Sequence, residues 1–397
     1  MNFLKPATNI QETIVTYRRW LHQHPGIGFD LPDTKKFVMD KLTEMGLAPK
    51  EVGACGIIAD LDGTKPGKTI LLRADMDALP IPEESNEEFA STNGKMHACG
   101  HDMHTAMLLG AAKLLVDHRN QIHGRVRFMF QPAEEILSGA KDMIAHEVLE
   151  GVDAATMIHV MTANPMPAGM VVVSPSGVSA PAADYFTIDI QGKGCHGSTP
   201  QNGVDALSVA AHILLSLQQI QSREIDVNSG AVMTIGKMNG GTAENVIADT
   251  AQLGGTLRAY DEKTREFIKT RIVEISRGIA ASFRAEAKIT FTSGCPTLKN
   301  DPQLCESFYE YLNSMMGNGV VSADKLSGGK PVRGGGSEDF AYISHQVPSV
   351  MLALAAGNTS EGYTYPLHHP KVRFDERALP AGAAAFAQVA VSYLSES

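Results

Sequence analysis

Two rhythms of apolar residues run along this chain, and the second interrupts the first, which limits the possible folds more than any other feature. Short apolar runs at Gly56 to Leu61, Thr69 to Met76, Val126 to Phe130 and Ala155 to Val160 read as buried strands. Helical stretches at His101 to Val116 and Gly139 to Leu149 separate several of them, after two amphipathic helices at Ile10 to His24 and Asp33 to Met45. That alternation predicts a largely parallel sheet covered by helices. A Pro/Ser/Ala/Gly stretch from Ser174 to Ala183 then ends the pattern. Beyond it the order becomes strand Asp184 to Ile190, helix Val204 to Gln221, strands Ala231 to Lys237 and Ala251 to Tyr260, helix Asp261 to Phe283, and strand Ala287 to Thr292. This β-α-β-β-α-β order is that of a ferredoxin-like sandwich. From about Thr297 the first rhythm resumes, with helices Pro302 to Met315 and Arg377 to Leu394 and a strand Ser349 to Leu354. The expected layout is a domain in two parts, 1–180 and 294–397, carrying an inserted α+β domain over 181–293.

Length and charge narrow the partners. At 397 residues the chain is long enough for at least two cores. With Lys+Arg 34 against Asp+Glu 44, the net charge of −10 offers no basic field for a polyanion, so nucleic acid is not an expected partner. No apolar run reaches the roughly 18 residues that span a bilayer, and the opening Met1 to Pro6 has no signal-peptide core, so no membrane association is expected. Five cysteines, an odd number without CxxC pairs, suit a reducing cytoplasm better than a disulfide framework.

The chemistry is concentrated in a few short segments. His97, His101 and His104 fall in MHACGHDMHT with Cys99 and Asp102. Cys99 and His101 flank Gly100, whose permissive backbone lets two side chains converge on one ion, and a thiolate with an imidazole suits a transition metal. Taken alone, the same residues also read as a core thiol and histidines capping the next helix. Gln131-Pro132-Ala133-Glu134-Glu135 follows the Val126 to Phe130 strand, where open α/β sheets place their sites. With the proline keeping the chain extended, one carboxylate can bind metal while its neighbour serves as general base; a lone Glu-Glu pair is otherwise an ordinary helix start. Asp75 and Asp77 in LLRADMDALP point to one face at a strand end, to bind metal or orient a ligand. His159 closes an apolar strand, where an imidazole needs a partner. His368 and His369 lie in a Pro-flanked loop.

Together these segments resemble a known family. LLRADMDALP, MHACGHDMHT, QPAEE, the His159-Val160 pair, GKGCHGSTP, Ser337-Glu338-Asp339-Phe340 and LHHP stand in the order and rough spacing of the M20 metallopeptidases, across essentially the whole chain. The likeness is to the amidohydrolase branch, which includes N-acyl-amino-acid amidohydrolases, hippurate hydrolases and plant auxin-conjugate hydrolases. It implies a zinc-peptidase-like mixed α/β sheet covered by helices, with an inserted ferredoxin-like lid or dimerisation domain.

Carried over position by position, the resemblance implies Cys99, His101, Glu135, His159 and His368 as metal ligands and Glu134 as general base. His368 is preferred to His369 because the ligand directly follows Leu367. His196 matches an oxyanion-stabilising histidine that often reaches across a dimer, and Asn245 and Arg258 match contacts to a substrate carboxylate. The implied cofactor is one or two divalent transition metal ions, Mn or Zn ahead of Ni or Co, and the implied assembly is a homodimer or homotetramer. The implied reaction is hydrolysis of N-acyl amino acids by metal-activated water. The alternatives are a dipeptidase or aminopeptidase using the same site, or a silent metal-binding scaffold that would have no need of Glu134. Departures from the pattern are Asp75, where other branches carry a histidine, Ile136-Leu137-Ser138, where relatives more often carry glycines, Cys195 before His196, and Thr162-Ala163 after Met161.

Overall fold

In the computed structural model, which describes residues 2–328 and 334–396, the chain divides into two units. One holds residues 2–179, 299–328 and 338–396, and the other residues 180–298 with 334–337.

The first unit is built on an eight-stranded mixed sheet in the order Lys50–Val52, Gly56–Asp62, His123–Gln131, Lys65–Asp75, Ala154–Met161, Ser349–Ala355, Val171–Val173, Val320–Ser322. The four strands from His123–Gln131 to Ser349–Ala355 run parallel, as the alternating rhythm predicts. The flanks do not: Gly56–Asp62 is antiparallel to both of its neighbours, and Ser349–Ala355 is antiparallel to Val171–Val173. Only Gly63 and Thr64 separate Gly56–Asp62 from Lys65–Asp75, too short a link for the crossover that a parallel neighbour requires. The parallel centre matters for function. It brings the ends of Lys65–Asp75 and His123–Gln131, and His159 near the end of Ala154–Met161, to one edge of the sheet.

Two helices fill the core beside this sheet. His101–Asp117 and Leu379–Ser395 are buried on nearly every face, and they approach closely because Gly382 leaves room for Met107. A Cβ on Gly382 would lie 2.0 Å from the Met107 sulfur. The stretch 376–395 is long and apolar enough to cross a membrane, contrary to expectation, but it is 89% buried within this unit. Its apolarity serves the core. The helix expected over Gly139 to Leu149 ends at Ala145, and turns follow.

The second unit carries a four-stranded antiparallel sheet in the order Ala231–Gly240, Thr250–Ala259, Ala182–Gln191, Glu286–Cys295. In chain order this is 2-3-1-4, the split arrangement of a ferredoxin-like sandwich. Alternation sets its buried face: Phe186, Ile188 and Ile190 pack with Leu253 and Leu257 against Ile213 and Leu217 of helix Ala206–Gln219 and Ile268 and Ile272 of helix Glu262–Ser282. Asp205 and Asp261 cap these helices by accepting from the Leu207 and Thr264 N–H groups.

Candidate metal centre

At Gly100 the backbone takes φ 87°, and a Cβ there would sit 2.4 Å from Val160 Cγ2. No other residue satisfies both conditions without strain. This turn delivers Cys99 and opens the helix at His101, so both side chains point to the sheet edge. Capping does not explain the histidines, because no side-chain cap closes this helix end. His97 is buried outside both ligand groups described next, its pKa lowered by burial to about 3.

The ligand atoms of Cys99, His101 and His159 lie within 4.8 Å of one another, and so do those of Cys99, Glu135 and His368. The two triads share the Cys99 thiol. Each sheet-edge histidine has its tautomer set by a backbone carbonyl: His101 Nδ1–H donates to Asp77 O and His159 Nδ1–H to Val160 O, both at 2.8 Å. This leaves each Nε2 as the acceptor nitrogen, and His159 Nε2 takes a weak hydrogen bond from the Cys99 thiol, with Sγ at 3.6 Å. His368 is held by a left-handed backbone, φ 65°, with Nε2 3.6 Å from Glu135 Oε1 and its side chain half exposed. His101 Nε2 and Glu135 Oε1 are buried with no hydrogen-bond partner among the described residues. A buried lone pair and a buried carboxylate oxygen without partners are costly unless a cation lies between them. Burial raises the Cys99 thiol far above its ordinary range, so forming the thiolate also calls for a bound cation. Thiolate, imidazole and carboxylate form a donor set that fits a divalent transition metal.

Glu134 and Glu135 sit in a turn rather than in the extended segment expected after Pro132. Ala133 adopts φ 55°, and the Leu137 N–H closes on Glu134 O at 2.7 Å. The turn leaves both carboxylates near His101 Nε2, 3.9 Å from Glu134 Oε2 and 3.9 Å from Glu135 Oε1, while their other contacts differ. Glu135 faces His368, whereas Glu134 points to the Asp339 N–H at 3.4 Å and stands in a group with Glu338 and Asp339. Burial, reinforced by Glu338 and Asp339, pushes the Glu134 carboxyl well above its usual range. Burial likewise raises Glu135 and Asp339, each to about 7.

One buried cation offsets this crowding. Arg73 is fully buried and pairs with Asp75 at 2.6 Å and with Glu338 and Asp339 at 3.0 Å. Gln131 links to the same group, accepting from Arg73 Nε at 2.9 Å and donating to Asp339 at 2.6 Å. Asp75 is therefore bonded on both oxygens, to Arg73 and to His104 Nδ1 at 2.6 Å. Asp77 accepts the N–H groups of Glu134 and Glu135. Both aspartates orient other residues. The roles of Arg73, Glu338 and Asp339 are not evident from local pattern. An arginine inside an apolar strand is the one local signal, but two of its partners, Glu338 and Asp339, lie more than 260 positions away.

In the second unit, His196 pairs with Val246, and the Gly197 N–H donates to Asn245 O at 2.8 Å, so His196 and Asn245 are neighbours. His196 is exposed, with Nδ1 2.7 Å from the Ser198 hydroxyl. Arg258 stands apart. It pairs with Ala183, stacks over the Tyr185 ring and lies eight residues along its strand from Thr250, about 26 Å at ~3.3 Å per residue.

Comparison with known proteins identifies the family. A model of peptidase family M20/M25/M40 matches residues 71–392. The chain is similar to an N-acetylcysteine deacetylase of Bacillus subtilis (35% identity, covering 96% of this chain and 97% of the relative). It is also similar to IAA-amino acid hydrolase ILR1-like 2 of Arabidopsis thaliana (38%, covering 98% and 87%). Among solved structures, a dinuclear metal-binding peptidase of the M20 family from Bacillus subtilis superposes with a TM-score of 0.79 at 32% identity, covering 98% and 99%. The chain therefore belongs to peptidase family M20/M25/M40 and is a metal-dependent amidohydrolase within it.

Proposed function

We propose that this enzyme hydrolyses the amide bond of N-acyl amino acids, releasing a carboxylic acid and a free amino acid. The observation that carries the reading is the Cys99 thiol shared by two candidate ligand triads beside the buried Glu134 carboxyl. Cys99, His101 and His159 would hold one ion, and Cys99, Glu135 and His368 a second. Mn or Zn suits this set best, with Ni and Co compatible. A bound ion supplies Lewis acidity that polarises the scissile carbonyl and makes water more acidic.

The chain's own residues do the rest. Glu134 Oε2 faces His101 Nε2 at 3.9 Å, while Oε1 is engaged by the Asp339 N–H. Oε2 is then the atom that takes a proton from the attacking water and returns it to the leaving amine nitrogen. A raised pKa makes the carboxylate a stronger base than an ordinary glutamate, which suits a group that must accept a proton and later release it. His196 donates to the developing oxyanion, and Asn245 and Arg258 receive the substrate carboxylate. With roughly 26 Å of strand between Thr250, at the end near Asn245, and Arg258, one copy of this unit cannot bring all three to one small substrate. This supports a homodimer or homotetramer in which His196 and Asn245 serve a different copy's site from Arg258.

The acidic pair Glu338 and Asp339 does not revive the dipeptidase reading. Arg73 Nη2 lies 3.0 Å from a carboxylate oxygen of each, so both already face a buried cation. Five cysteines, an odd number without CxxC pairs, suit the cytoplasm. The test is amine release from a panel of N-acyl amino acids and dipeptides by chelated protein reloaded with Mn or Zn. Turnover of the acyl amino acids supports the proposal, and turnover of dipeptides alone rejects it.

A further inference from the structure

His104 is the third histidine of MHACGHDMHT, and neither metal triad above uses it. Its ligand atoms come close to Asp75 and His101, which makes it a possible third metal-binding position on distance alone. Its hydrogen bonds exclude that role. The Val160 N–H donates to His104 Nε2 at 2.9 Å, so that nitrogen's lone pair is occupied. The proton must therefore sit on Nδ1, which donates to Asp75 Oδ1 at 2.6 Å. Asp75 is fixed in turn, because Arg73 donates to its Oδ2 at 2.6 Å and the Thr105 hydroxyl donates to its carbonyl at 2.6 Å. All four residues are buried.

The other end of this chain of bonds is the Val160 peptide. Its N–H is held by His104, and its carbonyl accepts from His159 Nδ1 at 2.8 Å. The His104 and His159 rings also meet edge to face, with centroids 4.7 Å apart. A relay thus runs from Arg73 through Asp75, His104 and the Val160 peptide to the ring of His159. Each link fixes the donor and acceptor roles of the next.

We infer that His104 is a positioning residue: by clamping the Val160 peptide, it holds His159 in the orientation and tautomer that present Nε2 to a metal ion. The inference rests on the metal role proposed above for His159. Hydrogen-bonded partners behind metal-ligating histidines typically govern affinity by 10- to 100-fold. Glutamine can imitate His104, since its carbonyl can accept from Val160 and its amide can donate to Asp75, whereas leucine can do neither.

The experiment reloads chelated full-length protein with Co(II) and reads the visible absorption spectrum and the cobalt dissociation constant, alongside kcat and KM on an N-acyl amino acid. His104→Leu should weaken cobalt binding by about 10- to 100-fold, alter the spectrum and lower kcat more than it raises KM. His104→Gln should recover most of the affinity and the wild-type spectrum. A folded leucine variant with wild-type cobalt affinity and spectrum overturns the role of His104 while leaving the proposed function standing. Wild-type protein that binds no cobalt overturns both. If the leucine variant does not fold, nitrogen-15 NMR of wild-type histidines decides: an Nδ1–H tautomer at His104 supports the relay, and an Nε2–H tautomer or a charged ring overturns it.

Discussion

Asp77 accepts the backbone N–H of Glu134 through Oδ1 at 3.0 Å, tying the proposed general base to the end of the central strand. Its other oxygen accepts from the Glu135 N–H at 3.2 Å, and its carbonyl accepts from His101 Nδ1 at 2.8 Å. Base, ligand turn and first histidine therefore hang from one residue. Such a site is held by short polar links to a rigid sheet edge, the arrangement that keeps reacting groups in register.

Removing the buried cation should be more damaging than removing any one of its partners. Arg73→Met leaves the Asp75, Glu338 and Asp339 carboxylates buried together, and breaking a buried ion pair from one side costs about 3–5 kcal/mol. Thermal or urea unfolding of the variant should show a loss of that order. A change within experimental error would mean that the cluster takes up protons at no cost and that Arg73 does not hold it.

Gly100→Ala should lower both stability and metal binding. The substitution forces an L-residue to φ 87° and drives its methyl into Val160, a combined cost of about 2 kcal/mol or more. The displaced neighbours are Cys99 and His101, so metal content measured by atomic emission should fall with the melting temperature. A variant with full metal content would show that the turn is not what brings those two proposed ligands together.

A pH prediction comes from the other side of the same helix. Burial opposes charge on His22, but Asp102 at 2.8 Å on Nδ1 and Glu83 at 2.9 Å on Nε2 outweigh it and raise its pKa. A raised folded-state pKa stabilises fully below the unfolded value of about 6.5, and that stabilisation is lost as pH rises through the folded value. The wild-type advantage over His22→Gln in melting temperature should be greatest in mildly acidic buffer and shrink toward alkaline pH. An advantage that grows with pH would contradict the doubly bonded, charged ring.

What the sequence revealed depended on how local the cause was. Cys99-Gly100-His101 is legible because one glycine's backbone freedom brings the pair together, and His159 because an apolar strand has no other use for an imidazole. The four parallel central strands and the β-α-β-β-α-β insertion follow from periodicity alone. The antiparallel flanks escape it, because periodicity marks a strand without its direction or its neighbours. The turn at Glu134 escapes because alanine is a poor signal for φ 55°. His368 was identified through the resemblance, since Pro-flanked loop histidines carry no pattern of their own. The Arg73 cluster joins residues 266 positions apart, and no window on the chain contains both.

Ile136 is 46% exposed directly after Glu135, an apolar surface beside a charged site. Covering the rest of that side chain with a substrate's acyl group contributes about 1 kcal/mol, roughly fivefold in kcat/KM. Ile136→Gly should therefore lower kcat/KM for long or aromatic acyl groups about fivefold relative to acetyl. An equal loss on both substrates would place Ile136 outside the acyl contact.

The central claim is that Glu134 moves the proton while Cys99, His101, Glu135, His159 and His368 hold the metal. The most direct test compares Glu134→Gln with wild type after identical metal reloading, measuring bound metal per subunit and amine release from an N-acyl amino acid. The account predicts unchanged metal content and a fall in kcat of about 10²- to 10⁴-fold. A glutamine variant that keeps its metal and still turns over within a few-fold of wild type would contradict it.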